Sequence, residues 1–209
     1  MTNIGNREMT PELALELLAK GNERFINGMS ANRDLLAKVQ ETKDGQKPFA
    51  AILSCMDSRA PAELIFDQGI GDIFNIRIAG NVISPYVLGS LEYAVAVAGS
   101  KLILVMGHTN CGAIKGACDD VKMGNLTSLL EQIKDSVNQE DTVSGDRTGN
   151  NTEFVNKVSV LNVRHSINQM MEQSDVIREH VEQGKINIVA TMYDIATGKV
   201  SFENVLQPA

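Results

Sequence analysis

Four short runs of apolar residues constrain the fold of this chain more than any other feature of its sequence. They read FAAILS (49–54), IFNIRIA (73–79), LILVMG (102–107) and INIVATM (186–192). Each run is the length of a strand, and none shows the apolar–polar alternation of a strand that is half exposed to water. Continuous apolar strands are typical of a parallel sheet that is covered on both faces.

The segments between these runs carry helix signals. Thr10 and Pro11 form a cap with proline at the first helical position, and Gly28 ends the stripe that follows. Further helices are predicted over 84–98, from near Gly112, over about 125–138 and over 174–184, with a short helix and loop in 29–47 and a surface loop in 139–151. Strands that alternate with helices predict an α/β fold, with a mostly parallel central sheet flanked by helices and an N-terminal helical arm.

The length of 209 residues fits one domain, with a helical arm at 1–47 and an α/β core at 48–209. The net charge of −7 argues against a nucleic-acid or anionic-membrane partner. No apolar run reaches the roughly 18 residues of a membrane span. The first residues, MTNIGNREMTPE, lack the apolar core of a signal peptide, so we expect a cytoplasmic protein.

Chemically active side chains follow two of the predicted strands. CMDSR places Cys55, Asp57 and Arg59 directly after the first strand, and GHTNCG places His108 and Cys111 directly after the third. Functional groups of parallel sheets gather beyond the carboxyl ends of the strands. Two thiolates and an imidazole are the ligands of a catalytic zinc site with a fourth position left open. The sequence therefore predicts such a site between these strand ends.

Each of these residues also has an ordinary interpretation. A single cysteine between apolar residues is most often a small core residue, and Asp57 and Arg59 could form a plain ion pair. The combination at two strand ends favours the metal site over these separate readings. Cys118 lies about two helical turns beyond Cys111, too far to share the ion, so we interpret it as structural. Three cysteines do not indicate a disulfide framework.

CMDSR and HTNCG resemble the paired zinc motifs of the β-class carbonic anhydrases. The family pattern is C-x-D-x-R followed by H-x-x-C-G, and this chain matches every fixed position. RIAGN (77–81), LEYAV (91–95) and INIVATMYDIATGKV (186–200) are also similar to family segments. The resemblance implies zinc as the cofactor, with Cys55, His108 and Cys111 as its ligands.

The resemblance also implies roles for other residues. Asp57 and Arg59 match the catalytic dyad of the family. The substrate pocket would include the backbone N–H of Gly112 and the side chains of Gln46, Phe74 and Tyr93. Some members bind bicarbonate at a noncatalytic site that contains a tryptophan three residues before the first cysteine. Ile52 holds that position here and the chain contains no tryptophan, which implies the branch without that site.

The implied function is the zinc-dependent, reversible hydration of carbon dioxide to bicarbonate and a proton. Hydroxide formed at zinc attacks carbon dioxide, and the Asp–Arg dyad orients it. Two alternatives stay open, a carbon disulfide or carbonyl sulfide hydrolase on the same fold and a noncatalytic zinc-binding protein. A thiol redox protein is disfavoured because no C-x-x-C occurs.

The resemblance finally implies a homodimer or homotetramer in which the N-terminal arm wraps the neighbouring subunit. From the residues, the apolar stripe of the first helix needs a surface to cover it. We therefore expect that surface on a second copy of the chain.

Overall fold

A five-stranded sheet with the order β2-β1-β3-β4-β5 forms the centre of the protein. This computed structural model describes residues 8–202, so the outer parts of the predicted arm and core, 1–7 and 203–209, lie outside the described residues. Strands β1 to β4 are parallel, and β5 pairs with β4 in the antiparallel direction. The strands are β1 Ala50–Ser54, β2 Ile73–Arg77, β3 Leu102–His108, β4 Asn187–Tyr193 and β5 Val200–Phe202.

The four predicted strands are confirmed to within one or two residues at each end. Every residue of β1 and β3 is buried, as expected for strands that are covered on both faces. Strand β5 was not predicted, because a strand of three residues is too short to show a recognisable hydrophobic pattern in the sequence. The fold is thus α/β with a mostly parallel sheet. Within residues 8–202, β5 is the one strand of the sheet that was not predicted.

Helices cover both faces of the sheet. One face, with Ala51, Leu53, Ile103 and Val105, packs under α4, α8 and α9, and the other face packs under α1 and α3. The helices are α1 Pro11–Ile26, α2 Leu35–Thr42, α3 Ala62–Ile65, α4 Pro85–Glu92 with a π-helical continuation Tyr93–Val97, α5 Gly112–Cys118, α6 Gly124–Glu131, α7 Lys134–Gln139, α8 Thr152–Gln173 and α9 Asp175–Glu182. Within 8–202, no helix is both long enough and apolar enough to cross a bilayer.

The longest of these helices, α8, was not predicted. It begins at Asn151, whose side chain accepts hydrogen bonds from the N–H groups of Glu153 and Phe154. Its buried face mixes apolar side chains with serines and an asparagine, which blurs the apolar spacing of a helix. The helix packs along β3 and reaches the end of the sheet where the predicted ligands lie.

The expectation that α1 needs a neighbouring subunit to cover its apolar stripe is corrected by the structure. Ala14, Leu17 and Leu18 are buried within the same chain, and Ala14 and Leu18 pack with α3 and the sheet. The side chain of Asn22, on the same face, donates to the carbonyls of Ile65 (3.1 Å) and Gly198 (2.9 Å). The first helix is therefore part of the core of its own chain.

The second helix of the arm behaves differently. None of the residues of α2 is buried, and Leu36 is 79% exposed. Asp34 caps it by accepting a hydrogen bond from the N–H of Ala37 at 2.9 Å. This cap satisfies one of the free N–H groups at the start of the helix.

Candidate metal centre

Two neighbouring strand ends bring the predicted ligands together. β1 and β3 are adjacent, and their register pairs Ser54 with Met106. Cys55 therefore leaves β1 beside the last residues of β3, which ends at His108. Cys111 follows one short turn later as the N-cap of α5. The carboxyl end of a parallel sheet is where such groups are expected to meet.

Cys55, His108 and Cys111 form a compact buried cluster. One sulfur from each cysteine and one ring nitrogen of the histidine all lie within 4.8 Å of one another. The three residues are only 4%, 1% and 2% exposed. The two cysteines belong to one buried apolar cluster with Val82, Ile114, Phe154 and Val158. This arrangement confirms that the sequence motifs converge, and it isolates the three donor atoms from bulk water.

The orientation of His108 fits metal binding. Its Nδ1 lies 2.9 Å from the carbonyl oxygen of Thr109, and since that oxygen only accepts, Nδ1 carries the proton. Nε2 then has a free lone pair. Within the described part of the chain this buried atom has no hydrogen-bond partner. Buried polar atoms are rarely left without one, so an ion at Nε2 accounts for the geometry.

The two thiols behave as a coupled pair. Their sulfurs are 3.8 Å apart. A hydrogen bond from the Cys111 thiol to the Cys55 sulfur holds the pKa of Cys55 well below its ordinary value and raises the pKa of Cys111. Burial lowers the pKa of His108, but the neighbouring Cys55 thiolate outweighs that effect and the net shift is upward. A cation bound between the two sulfurs would favour the thiolate form of both cysteines.

Asp57 and Arg59 stand at the exposed side of this cluster. Arg59 donates from Nε to Asp57 Oδ1 (2.9 Å) and from Nη2 to Asp57 Oδ2 (2.7 Å). This bidentate pair holds the pKa of Asp57 well below its ordinary range, so the carboxylate is ionised at neutral pH. Oδ2 lies 3.9 Å from Nε2 of His108. The ion pair between Asp57 and Arg59 is therefore formed, with Oδ2 of Asp57 close to the imidazole nitrogen of the cluster.

The loop that carries Cys55 and Asp57 is fixed by Arg77 at the end of β2. Arg77 donates from Nε to the carbonyl of Cys55 (3.2 Å) and from Nη2 to the carbonyl of Asp57. A second contact comes from the 3₁₀ turn Ala79–Asn81, where the N–H of Gly80 points at the sulfur of Cys55 (3.4 Å). Sequence reasoning assigned no role to either residue. Only the segment RIAGN, noted for its similarity, pointed to this part of the chain.

The predicted pocket residues lie in three places. Gly112 is the first residue of α5, with its backbone beside the cluster and open space where a Cβ would be. Phe74 and Tyr93 meet edge to face, with ring centroids 6.1 Å apart, in a groove beside the edge strand β2. Gln46 is exposed in the loop before β1. Within one chain, Phe74 and Tyr93 come together, but neither they nor Gln46 belongs to the donor cluster.

Cys118 lies outside the donor cluster, as expected. It ends α5 half-buried, and burial raises the pKa of its thiol to about 11. A thiol that stays protonated at neutral pH is a poor ligand and a poor nucleophile.

Comparison with known proteins finds carbonic anhydrases, both as a family and as individual relatives. A family model described as carbonic anhydrase matches residues 50–200. Carbonic anhydrase 2 of Mycobacterium tuberculosis (strain CDC 1551 / Oshkosh) is 37% identical over 198 residues, which cover 90% of this chain and 91% of that protein. The carbonic anhydrase of Mycolicibacterium smegmatis is 33% identical and covers 94% and 95% of the two chains.

Solved structures share the fold over nearly the full length. A tetrameric β-carbonic anhydrase of Sordaria macrospora superimposes with a TM-score of 0.71 at 26% identity, covering 91% of this chain and 94% of the other. The β-carbonic anhydrase CafA of Aspergillus fumigatus gives a TM-score of 0.74 at 25% identity, covering 94% and 93%.

Proposed function

The chain belongs to the β-carbonic anhydrase family, and from this premise we propose that it hydrates carbon dioxide reversibly with zinc at Cys55, His108 and Cys111. The observation that carries the proposal is the buried cluster of two sulfurs and an unpartnered imidazole nitrogen beside an ionised carboxylate. Thiolate and imidazole donors together favour zinc over magnesium, calcium and manganese, which prefer oxygen ligands.

Zinc bound there supplies Lewis acidity, which makes water a nucleophile near neutral pH. Asp57 then orients the reacting water, because an ionised carboxylate accepts hydrogen bonds and does not donate them. Arg59 fixes the orientation of that carboxylate through its two N–H groups. We propose that Asp57 contacts the reacting atoms during catalysis and that Arg59 acts only by holding Asp57.

The apolar shell of the cluster suits a nonpolar substrate such as carbon dioxide. We propose that the N–H of Gly112 faces the substrate and that Phe74 and Tyr93 line its approach. Their groove is open on the outer side of β2, and Tyr93 is 53% exposed. The groove would become a closed pocket only if another surface covered it.

We propose that a second copy of the chain provides that surface, in a homodimer or homotetramer. β2 is an edge strand of the described sheet, and an uncovered edge strand readily pairs with another strand. Tyr86, which lines this groove, is 89% exposed, and Leu64 on α3, the helix that contacts β2, is 64% exposed. Gln46 would then approach the site of the neighbouring copy. We also propose that the protein acts in the cytoplasm.

Stopped-flow hydration of carbon dioxide by protein of known metal content tests the activity. We expect about one zinc per chain and a rate that scales with the zinc content. A zinc-loaded protein that does not hydrate carbon dioxide would contradict the proposal. Activity on carbon disulfide or carbonyl sulfide, without activity on carbon dioxide, would indicate a hydrolase. Inactivity on all three compounds would indicate a noncatalytic zinc protein.

Two cysteine variants test the ligand assignment. Cys111→Ser should lose both zinc and activity, because a hydroxyl replaces a thiolate ligand. Cys118→Ser is the matched control seven residues further along and should retain both. Metal analysis of the two purified proteins measures this, and full zinc occupancy in Cys111→Ser would remove that residue from the site.

A further inference from the structure

The 3₁₀ turn Ala79–Asn81 adopts an unusual backbone conformation beside Cys55. Gly80 has φ 66° and ψ 17°, and Asn81 has φ 44°. Left-handed conformations are free of strain for glycine, whereas other residues adopt them at a cost of roughly 1–2 kcal/mol. A Cβ on Gly80 would also lie 2.7 Å from Cδ1 of Ile133. Asparagine is among the few other residues that adopt this region, so glycine and asparagine suit the two positions of the turn.

Helix α8 holds this turn through two buried polar side chains. Asn162 donates from Nδ2 to the carbonyl of Gly80 at 2.7 Å. Oγ of Ser166 lies 2.9 Å from the carbonyls of both Asn81 and Asn162, so its single proton is shared between the turn and its own helix. Each of the two residues is only 1% exposed. They lie four residues apart, so they share one face of the helix. Helix α8 therefore contacts the turn Ala79–Asn81 as well as the sheet.

These contacts act on the backbone next to an N–H that reaches the metal centre, that of Gly80. The carbonyl of Gly80 and the N–H of Asn81 belong to the same peptide group. Asn162 binds the carbonyl, and the N–H donates to the carbonyl of Ile78 at 3.0 Å. The N–H of Gly80 belongs to the preceding peptide group, and the anchored Gly80–Asn81 group restrains it through the backbone of Gly80, which keeps this N–H directed at the sulfur of Cys55.

We propose that Asn162 and Ser166 are positioning residues of the metal centre, which set the orientation of the Cys55 thiolate through the turn Ala79–Asn81. The proposal rests on the proposed function, since it takes Cys55 as a zinc ligand. Groups that orient a ligand are part of the affinity of a metal site, and their loss typically costs roughly 10–100-fold in metal affinity. A helix distant from the motifs in sequence therefore contributes to zinc binding.

The affinity of the protein for zinc, measured by competition with a chromophoric chelator, tests the proposal without reference to activity. Asn162→Leu replaces the amide by an apolar group of similar size, and Ser166→Ala removes a single hydroxyl. We expect the zinc dissociation constant to rise roughly 10–100-fold in the first variant and about 10-fold in the second. The thiolate-to-metal charge-transfer band of the cobalt-substituted protein should also shift in both variants.

Ser159→Ala is the matched control. Ser159 is buried on the same helix and, like Ser166, places its hydroxyl on the carbonyl one turn earlier, that of Val155. Ser166 differs in its further contact with the carbonyl of Asn81 in the turn. We expect its zinc affinity and cobalt spectrum to equal those of the wild type. An equal loss in this variant would mean that any buried change in α8 weakens the site, and the proposal would be wrong.

Other outcomes are also decisive. If Asn162→Leu does not fold, Ser166→Ala decides the question, because alanine is favourable in a helix. The variants could instead fold with a lower melting temperature in the metal-free form and keep a zinc affinity within about threefold of the wild type. This result would show that Asn162 and Ser166 have a purely structural role, and the proposal would be wrong. A wild-type protein that binds no zinc would contradict the proposed function itself, which is a different result.

Discussion

Replacement of Gly21 by alanine tests whether α1 belongs to the core of its own chain. Gly21 faces the end of α3, and a Cβ added there would lie 1.8 Å from the carbonyl oxygen of Phe66 and 2.7 Å from its carbon. Carbon atoms in contact are normally about 3.5–4 Å apart, so α1 must retreat by roughly 1.5–2 Å. The opposing atoms belong to the backbone and cannot rotate away as a side chain could.

The retreat has a cost that can be estimated from the contacts next to Gly21. Asn22 donates to the carbonyls of Ile65 and Gly198 and accepts from the N–H of Val200 at 2.9 Å. Each of these three hydrogen bonds contributes about 0.5–1.5 kcal/mol to the free energy of unfolding. Overpacking costs a further 1–3 kcal/mol, and alanine returns about 1 kcal/mol in helix propensity. We expect a net loss of about 3–4 kcal/mol, a large part of the 5–15 kcal/mol typical of a whole domain.

Urea unfolding followed by far-UV circular dichroism measures this loss. Glu23→Ala, at an exposed position of the same helix, is the control and should change the free energy of unfolding by less than about 0.5 kcal/mol. Equal stability of Gly21→Ala and the wild type would refute the reasoning. In that case α1 would not dock on its own chain at this distance, and its apolar face would be free for a neighbouring subunit.

Two further predictions concern charged groups. Arg59→Ala should keep zinc but lower the rate of carbon dioxide hydration roughly 10²–10³-fold, because Asp57 is no longer oriented; a wild-type rate would reduce Arg59 to a structural ion-pair partner. Asp67→Asn should destabilise the protein at neutral pH by about 3 kcal/mol, since the buried carboxylate pairs with Arg24 and Arg33. Burial raises the pKa of Asp67, but the two arginines outweigh it and the net shift is downward. The stabilisation is therefore complete above the unfolded pKa of about 3.9 and disappears as the pH falls through the lower folded value. In urea unfolding, the difference in stability between the two proteins should begin to shrink below about pH 3.9 and vanish only below the folded pKa of Asp67, and a difference that does not shrink below about pH 3.9 would contradict the ion-pair account.

The sheet and the donor cluster could be predicted from sequence because both leave local signals. A buried parallel strand is a short apolar run, and all four runs became strands. The order of elements places strand ends at one edge of the sheet, so Cys55 and His108 were expected to meet. His108 was expected just after its strand, but it is the last residue of β3.

The missed features have a common cause: their sequence signals are weak or nonlocal. Helix α8 buries Asn162 and Ser166 among apolar side chains, and these polar residues mask the helical period. The N–H of Gly80 acts through the backbone, which has no side-chain signature. The surface that covers α1 could not be identified either, because an apolar stripe does not specify which surface it packs against.

Burial separates two functions within the site. The three donor atoms lie in residues that are almost fully buried, whereas Arg59 is an exposed residue with a side chain that is 55% accessible. A change at a buried donor leaves unpaired polar atoms in an apolar shell, so it should alter metal affinity and local order together. A change at Arg59 leaves water in its place, so the ligands keep their geometry and only the orientation of Asp57 is lost. Changes at the buried donors should therefore lower zinc content and rate together, and Asn162 and Ser166 belong with these residues although they lie far from both motifs. A change at Arg59 should lower only the rate, at full zinc content.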